Sequence, residues 1–192
     1  MPFIHEDTPP KEVFSLATPQ HILLKLAWEI KQFERASSGK WNPDAAYAAF
    51  NCAVTAFHCA DWAWASAGGD TRLRLAESFD FTLKEIDDPK GLEAFCNAIE
   101  KESRDFRACR WIANGSKHMR LRKTDNPIRV GVEYSARGEI ATEPSYAVDF
   151  VISDGDQKDL AIDVFRRVFE FWRDLFEGVG FIEPRFVHGV PP

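Results

Sequence analysis

Apolar residues recur along the first part of this chain at helical spacing. Ile22, Leu23, Leu26, Ile30 and Phe33 fall three and four apart, which predicts a helix over 19–36 with one apolar face. Thr18-Pro19 supplies its start, with proline at the first helical position, and Ser37-Ser38-Gly39 its end. Asn42-Pro43-Asp44 opens a second helix by the same logic, running to about Ala67 and stopping at Gly68-Gly69. This second stretch is apolar nearly all round, so it is expected to be the most enclosed helix. A short helical piece is expected over Asp70–Ala76, then a turn-rich connection over Phe79–Asp88 ending at Asp88-Pro89. Leu92, Phe95, Cys96, Ile99, Phe106, Cys109 and Ile112 predict a third long helix over 90–113, with an extension to 119 left open.

The period then changes from helical to alternating. Ile128, Val130, Val132 and Tyr134 alternate with Arg129, Gly131 and Glu133, and Tyr146, Val148 and Phe150 with Ala147, Asp149 and Val151. β-branched and aromatic residues at period two predict strands, joined as a hairpin by Ser135–Pro144. Asp154-Gly155-Asp156 precedes a last helix at about 156–177, whose core face carries Val164, Val168, Phe171, Trp172, Leu175 and Phe176. The expected fold is mainly α: a four-helix up-and-down bundle with a β-hairpin, at about 128–152, inserted before the last long helix. Residues 1–18 read as an arm, 19–180 as one domain and 181–192 as a tail.

Composition adjusts this picture in three places. Ala45–Ala65 is long enough to span a bilayer, but it holds Asn51, Thr55, His58 and Asp61 and nine alanines. A mid-span Asp costs about 2.5–3.5 kcal/mol on insertion scales, so a buried helix of a soluble, cytoplasmic protein is expected instead. Met1–Pro10 lacks a charged segment followed by an apolar one, so no signal peptide is expected. Cys52, Cys59, Cys96 and Cys109 form no CxxC pair or zinc-finger spacing and are expected as reduced, buried thiols. No cofactor and no dedicated metal site are expected.

Two groups of polar residues interrupt the apolar pattern. In the second helix Asn51, Thr55, His58 and Trp62 share one stripe, with Asp61 a residue off it. Either these groups hydrogen-bond within the fold, because unpaired buried polar groups cost about 1–3 kcal/mol each, or they face a cleft and support a site.

The second group is cationic. Residues 101–123 contain eight Lys/Arg and two Asp/Glu, formally +6, whereas the whole chain is −6 and the remainder therefore −12. Arg104, Arg107, Trp111, Arg120, Arg122 and Lys123 can hold a phosphate backbone and stack a base. Equally, such a run can be a solvated face that pairs with the acidic remainder of the same fold. Arg107, Arg110, Asn114 and His118 follow one another three, four and four apart, on one face of a continuing helix. Neighbouring cations favour a neutral imidazole at His118. Such an imidazole can take the proton of a ribose 2′-hydroxyl, while Arg110 or Lys117 stabilises charge on phosphorus. That is the minimum apparatus for metal-independent RNA cleavage.

At these residues the chain resembles the HEPN superfamily. The family mark is an arginine, a polar residue and, a few residues on, a histidine. Here Arg110 and His118 stand with seven residues between them, Trp111 follows the arginine, and Asn114 is the available polar companion. The Asn-Gly-x-Lys-His segment is also similar to one in bacterial and prophage proteins, a likeness that names no activity. The resemblance implies a helical bundle that binds or cleaves RNA within a toxin–antitoxin, phage-defence or prophage system. It further implies an antitoxin or other protein partner, and two motifs meeting across a homodimer. The rival readings are a non-catalytic module that docks a protein or nucleic acid, and a metal-dependent hydrolase built from His58, Asp61 and His118.

Overall fold

A computed structural model describes residues 16–38, 41–79, 90–117, 128–137 and 145–183. The chain is mainly helical, with six helices and a small antiparallel sheet among the described residues. Helix α1 spans Pro19–Ser37; the Thr18 hydroxyl oxygen accepts from the His21 N–H at 3.3 Å, and proline occupies the first turn. Helix α2 spans Pro43–Ser66, capped by Asn42, whose side-chain oxygen accepts from the Asp44 N–H at 2.9 Å. Both helices start at the residues the caps and prolines predict. Helix α3 is Gly69–Phe79, three residues longer at its end than expected.

The single helix expected over 90–113 is two helices, α4 (Gly91–Glu102) and α5 (Arg104–Lys117). Ser103 between them is extended, at φ −124 and ψ 103. Its hydroxyl oxygen accepts from the Phe106 N–H at 3.1 Å, so one buried serine ends α4 and caps α5. The apolar spacing of Ile99 and Phe106 runs through this break and conceals it.

Strands β1 (Ile128–Arg137) and β2 (Ser145–Asp154) pair antiparallel, with Val130 opposite Ile152 and Val132 opposite Phe150. The last helix starts later than expected. Asp154 turns through Gly155, at φ +60, into a third strand β3 (Gln157–Leu160), and α6 then runs over Ala161–Gly178. A positive φ is accessible to glycine without a Cβ clash, which permits the tight reversal. Sheet order is β1-β2-β3.

The core is aromatic and alanine-rich. Trp172, fully buried on α6, meets Phe106 edge-on at 5.6 Å, while Phe33 of α1 meets Phe150 of β2 and Phe165 of α6 at 5.5 Å each. Ala53, Ala56, Ala60 and Ala63 are buried on α2, where small side chains let α1, α5 and α6 approach. The enclosure expected for α2 holds along this stripe and fails at its N-terminal half: Tyr47 is 66% exposed and Phe50 39%. No helix among the described residues is long and apolar enough to cross a membrane. The arm before residue 16, the 80–89 connection, the tip of the hairpin at 138–144 and the tail from 184 lie outside the described residues.

Candidate functional site

Helix α5 carries the first half of the cationic segment, and its arginines are held by acids of the fold. Arg104 donates to Asp159 Oδ2 at 2.7 Å and to the Gln157 carbonyl at 3.3 Å, and its Nε lies 3.3 Å from Asp154. Arg107 pairs with the same Asp154. Arg167 of α6 donates to both oxygens of Asp105, at 2.8 and 2.9 Å, and reaches Asp159 at 3.2 Å. The hydrogen bond from Arg104, reinforced by the Arg167 and Arg104 charges, holds the Asp159 carboxyl below its usual range. The Asp105 hydrogen bonds push the Arg167 guanidinium above its own.

Arg110 points elsewhere. It donates to Asn97 Oδ1 at 2.9 Å, sits 3.2 Å from Glu100 of α4, and lies over the Phe57 ring at 6.0 Å. Although Arg107 and Arg110 share a helix face, their guanidinium groups diverge to β2 and α4. Trp111 is half-buried against the core and Asn114 is half-buried one turn on. The backbone of Lys117 ends α5. His118, Arg120, Arg122 and Lys123, the expected base and the second half of the strip, lie outside the described residues.

The polar stripe of α2 divides between the interior and a groove. His58 is half-buried, its ring 6.0 Å from that of Phe57, and Asp61 is half-buried and has a partner of its own. Among the described residues no three His, Cys, Asp or Glu side chains converge as metal ligands. The four cysteines are free and buried. Burial pushes the Cys96 thiol up to about 12 and raises Cys52, Cys59 and Cys109 as well, so none is a reactive thiolate at neutral pH.

Thr55 is buried and accepts from Lys25 Nζ at 2.6 Å; the same ammonium pairs with Glu29 Oε1. Glu29 is only 4% exposed, and its Oε2 has no hydrogen-bond partner among the described residues. Above this ion pair lies a groove of about 180 Å³ between α1 and α2, lined by Trp28, Glu29, Gln32, Asp44, Tyr47 and Asn51. Trp28 and Tyr47 are 61% and 66% exposed. Sequence reasoning singled out Asn51 and Thr55 but missed Lys25, Trp28, Glu29 and Tyr47. The available signal was a glutamate within the apolar face of the first helix and a tryptophan on its polar face. A second, apolar cavity of about 260 Å³ opens between α2 and the sheet, lined by residues including Ala46, Phe50, Ile112, Val130 and Phe150.

No protein-family model, curated protein or solved structure matches this chain.

Proposed function

We propose that this chain is a non-catalytic interaction module that docks a basic segment of a partner protein in the groove between α1 and α2. The observation that carries this reading is the pairing of two exposed aromatic rings, Trp28 and Tyr47, with the exposed carboxylate of Asp44 around one groove. An aromatic face attracts a lysine or arginine head group electrostatically, and Trp and Tyr dominate binding energy at interfaces. The net charge of −6 steers such a partner toward the surface. In this reading α1, α2, α5 and α6 act as an up-and-down four-helix frame that fixes the two walls of the groove. The internal pairing of Arg104, Arg107 and Arg110 favours docking over RNA cleavage, because those guanidinium groups already face carboxylates. Ribonuclease activity then rests on Lys117 and His118 and on the residues after them.

The test is a titration of the purified protein with a short Lys/Arg peptide, an acidic peptide of equal length and a single-stranded RNA. We expect the basic peptide alone to bind, and Trp28→Ala and Tyr47→Ala each to weaken it by roughly 5- to 30-fold. Failure of the basic peptide to bind removes this reading. RNA cleavage that survives EDTA and is lost in His118→Ala establishes the ribonuclease in its place.

A further inference from the structure

We infer that two copies of this chain pair through strand β1, edge to edge and antiparallel, about a two-fold axis at Gly131. This inference is independent of the groove and of its occupant. Strand β1 is ten residues long and is an outer strand of the described sheet, with β2 as its neighbour there. A long outer strand presents a row of backbone donors and acceptors, and natural edges are blunted by proline, bulges or charged side chains, whether along the edge or inward-pointing. Residues 129–134 carry none of these on the core-side face; they carry Val130 and Tyr134, 63% and 64% exposed. Val130 lies at the apolar cavity that Phe50 of α2 also lines, so among the described residues the largely exposed stretch 129–134 of this outer strand continues into exposed apolar surface.

The register follows from charge. In an antiparallel pair centred on residue 131, Arg129 of each copy stands opposite Glu133 of the other, and Val130 opposite Val132. The strand is therefore complementary to itself, twice over, in that one register. Cross-strand pairs of opposite charge stabilise a sheet, whereas like charges directly opposite destabilise it. Glu133 has Lys158 of β3 beside it within its own copy, and Arg129 is exposed.

Gly131 supplies a separate argument. Its φ is not positive, and among the described residues a Cβ built there would meet Val151 Cγ2 alone, at an ordinary 3.7 Å. Neither the backbone nor the packing of the described residues calls for glycine, and glycine weakens a strand interior. Glycine in a strand often marks the close approach of another backbone. At the two-fold axis the approaching backbone is that of the second copy.

Sedimentation velocity over a concentration series tests the pairing, with circular dichroism confirming that each variant keeps its helical signal. We expect wild type to dimerise reversibly. Arg129→Glu, which turns two attractive pairs into two repulsive ones, weakens the dimer about tenfold or more. The double variant Arg129→Glu/Glu133→Arg restores it. Val130→Lys, at an exposed position the fold tolerates, also weakens it by adding charge to the buried seam. A wild type that stays monomeric throughout, or a dimer indifferent to both Arg129→Glu and Val130→Lys, overturns the inference. Weakening by Arg129→Glu without rescue by the double variant overturns the register centred on Gly131.

Discussion

Glu29 stands in a row with Leu26, Ile30 and Phe33, on the face of α1 that a helix normally reserves for hydrocarbon. A carboxylate there survives because Lys25, one turn earlier, curls over it and is itself fixed by Thr55 of α2. Removing the ammonium leaves a buried charge with no counterpart, whereas removing the carboxylate leaves a lysine already 39% exposed that turns to water. The two halves of the pair are thus unequal. Lys25→Met is expected to lower stability by about 2–4 kcal/mol, read from the urea midpoint, while Glu29→Leu is close to neutral. The double variant should recover most of the stability that Lys25→Met removes. Equal destabilisation by both single variants would mean that Glu29 is stabilised by something other than Lys25. Thr55 is visible in the sequence as one member of a polar stripe. Its partner is not, because Lys25 lies thirty residues away and looks like any other lysine on an amphipathic helix.

Local signals mark the elements well where a single residue sets the backbone. Thr18-Pro19 and Asn42-Pro43 fix two helix starts through a side-chain cap and a preset proline φ, and alternation exposes β1 and β2. Strand β3 escapes notice because four residues, Gln157–Leu160, are too few to establish a period. The break at Ser103 is hidden because a serine cap costs no apolar position. The ion pairs that join β3 to α5 and α6 are equally invisible: Arg104 and Asp159 are 55 residues apart, and a count of charges cannot tell a docking strip from an internal truss. Asp159 meets two arginines from two helices, so its effect belongs to the elements it joins. Its folded-state pKa lies below the ordinary 3.8. The stabilisation it gives is therefore complete above that value and disappears as pH falls through the depressed one. Asp159→Asn should lower the urea midpoint at neutral pH and flatten its decline in the acid range below about pH 4. A variant with the wild-type slope in acid would show that another carboxylate governs this part of the profile.

Across the whole molecule, net charge and local charge point in opposite directions. The chain is −6, yet its most cationic segment, at +6, reads in sequence either as a site for an anionic polymer or as a face that pairs with the acidic remainder. Folding changes the balance, because Asp154 and Asp159 from the sheet and Glu100 from α4 meet the arginines of α5. The Asp44 carboxylate of the α1/α2 groove, by contrast, is exposed and shares its surface with exposed aromatic rings. A phosphate backbone would have to displace an internal carboxylate to reach Arg107, and the carboxylate left behind on Asp154, 7% exposed, would retain Arg104 alone. Arg107→Ala should therefore act on stability and not on nucleic acid. We expect a decrease of about 1–2 kcal/mol in urea unfolding, reduced from the full value of a charged hydrogen bond because the arginine side chain is 37% exposed. If the protein binds RNA at all, the slope of log affinity against log salt should be unchanged by Arg107→Ala. It should become shallower in a Lys117, Arg120 and Arg122 to alanine triple variant, since every phosphate the variant leaves unneutralised keeps roughly one counterion condensed on the RNA. An Arg107→Ala protein of wild-type stability with a shallower salt slope would reverse this assignment and return the whole of α5 to nucleic-acid binding.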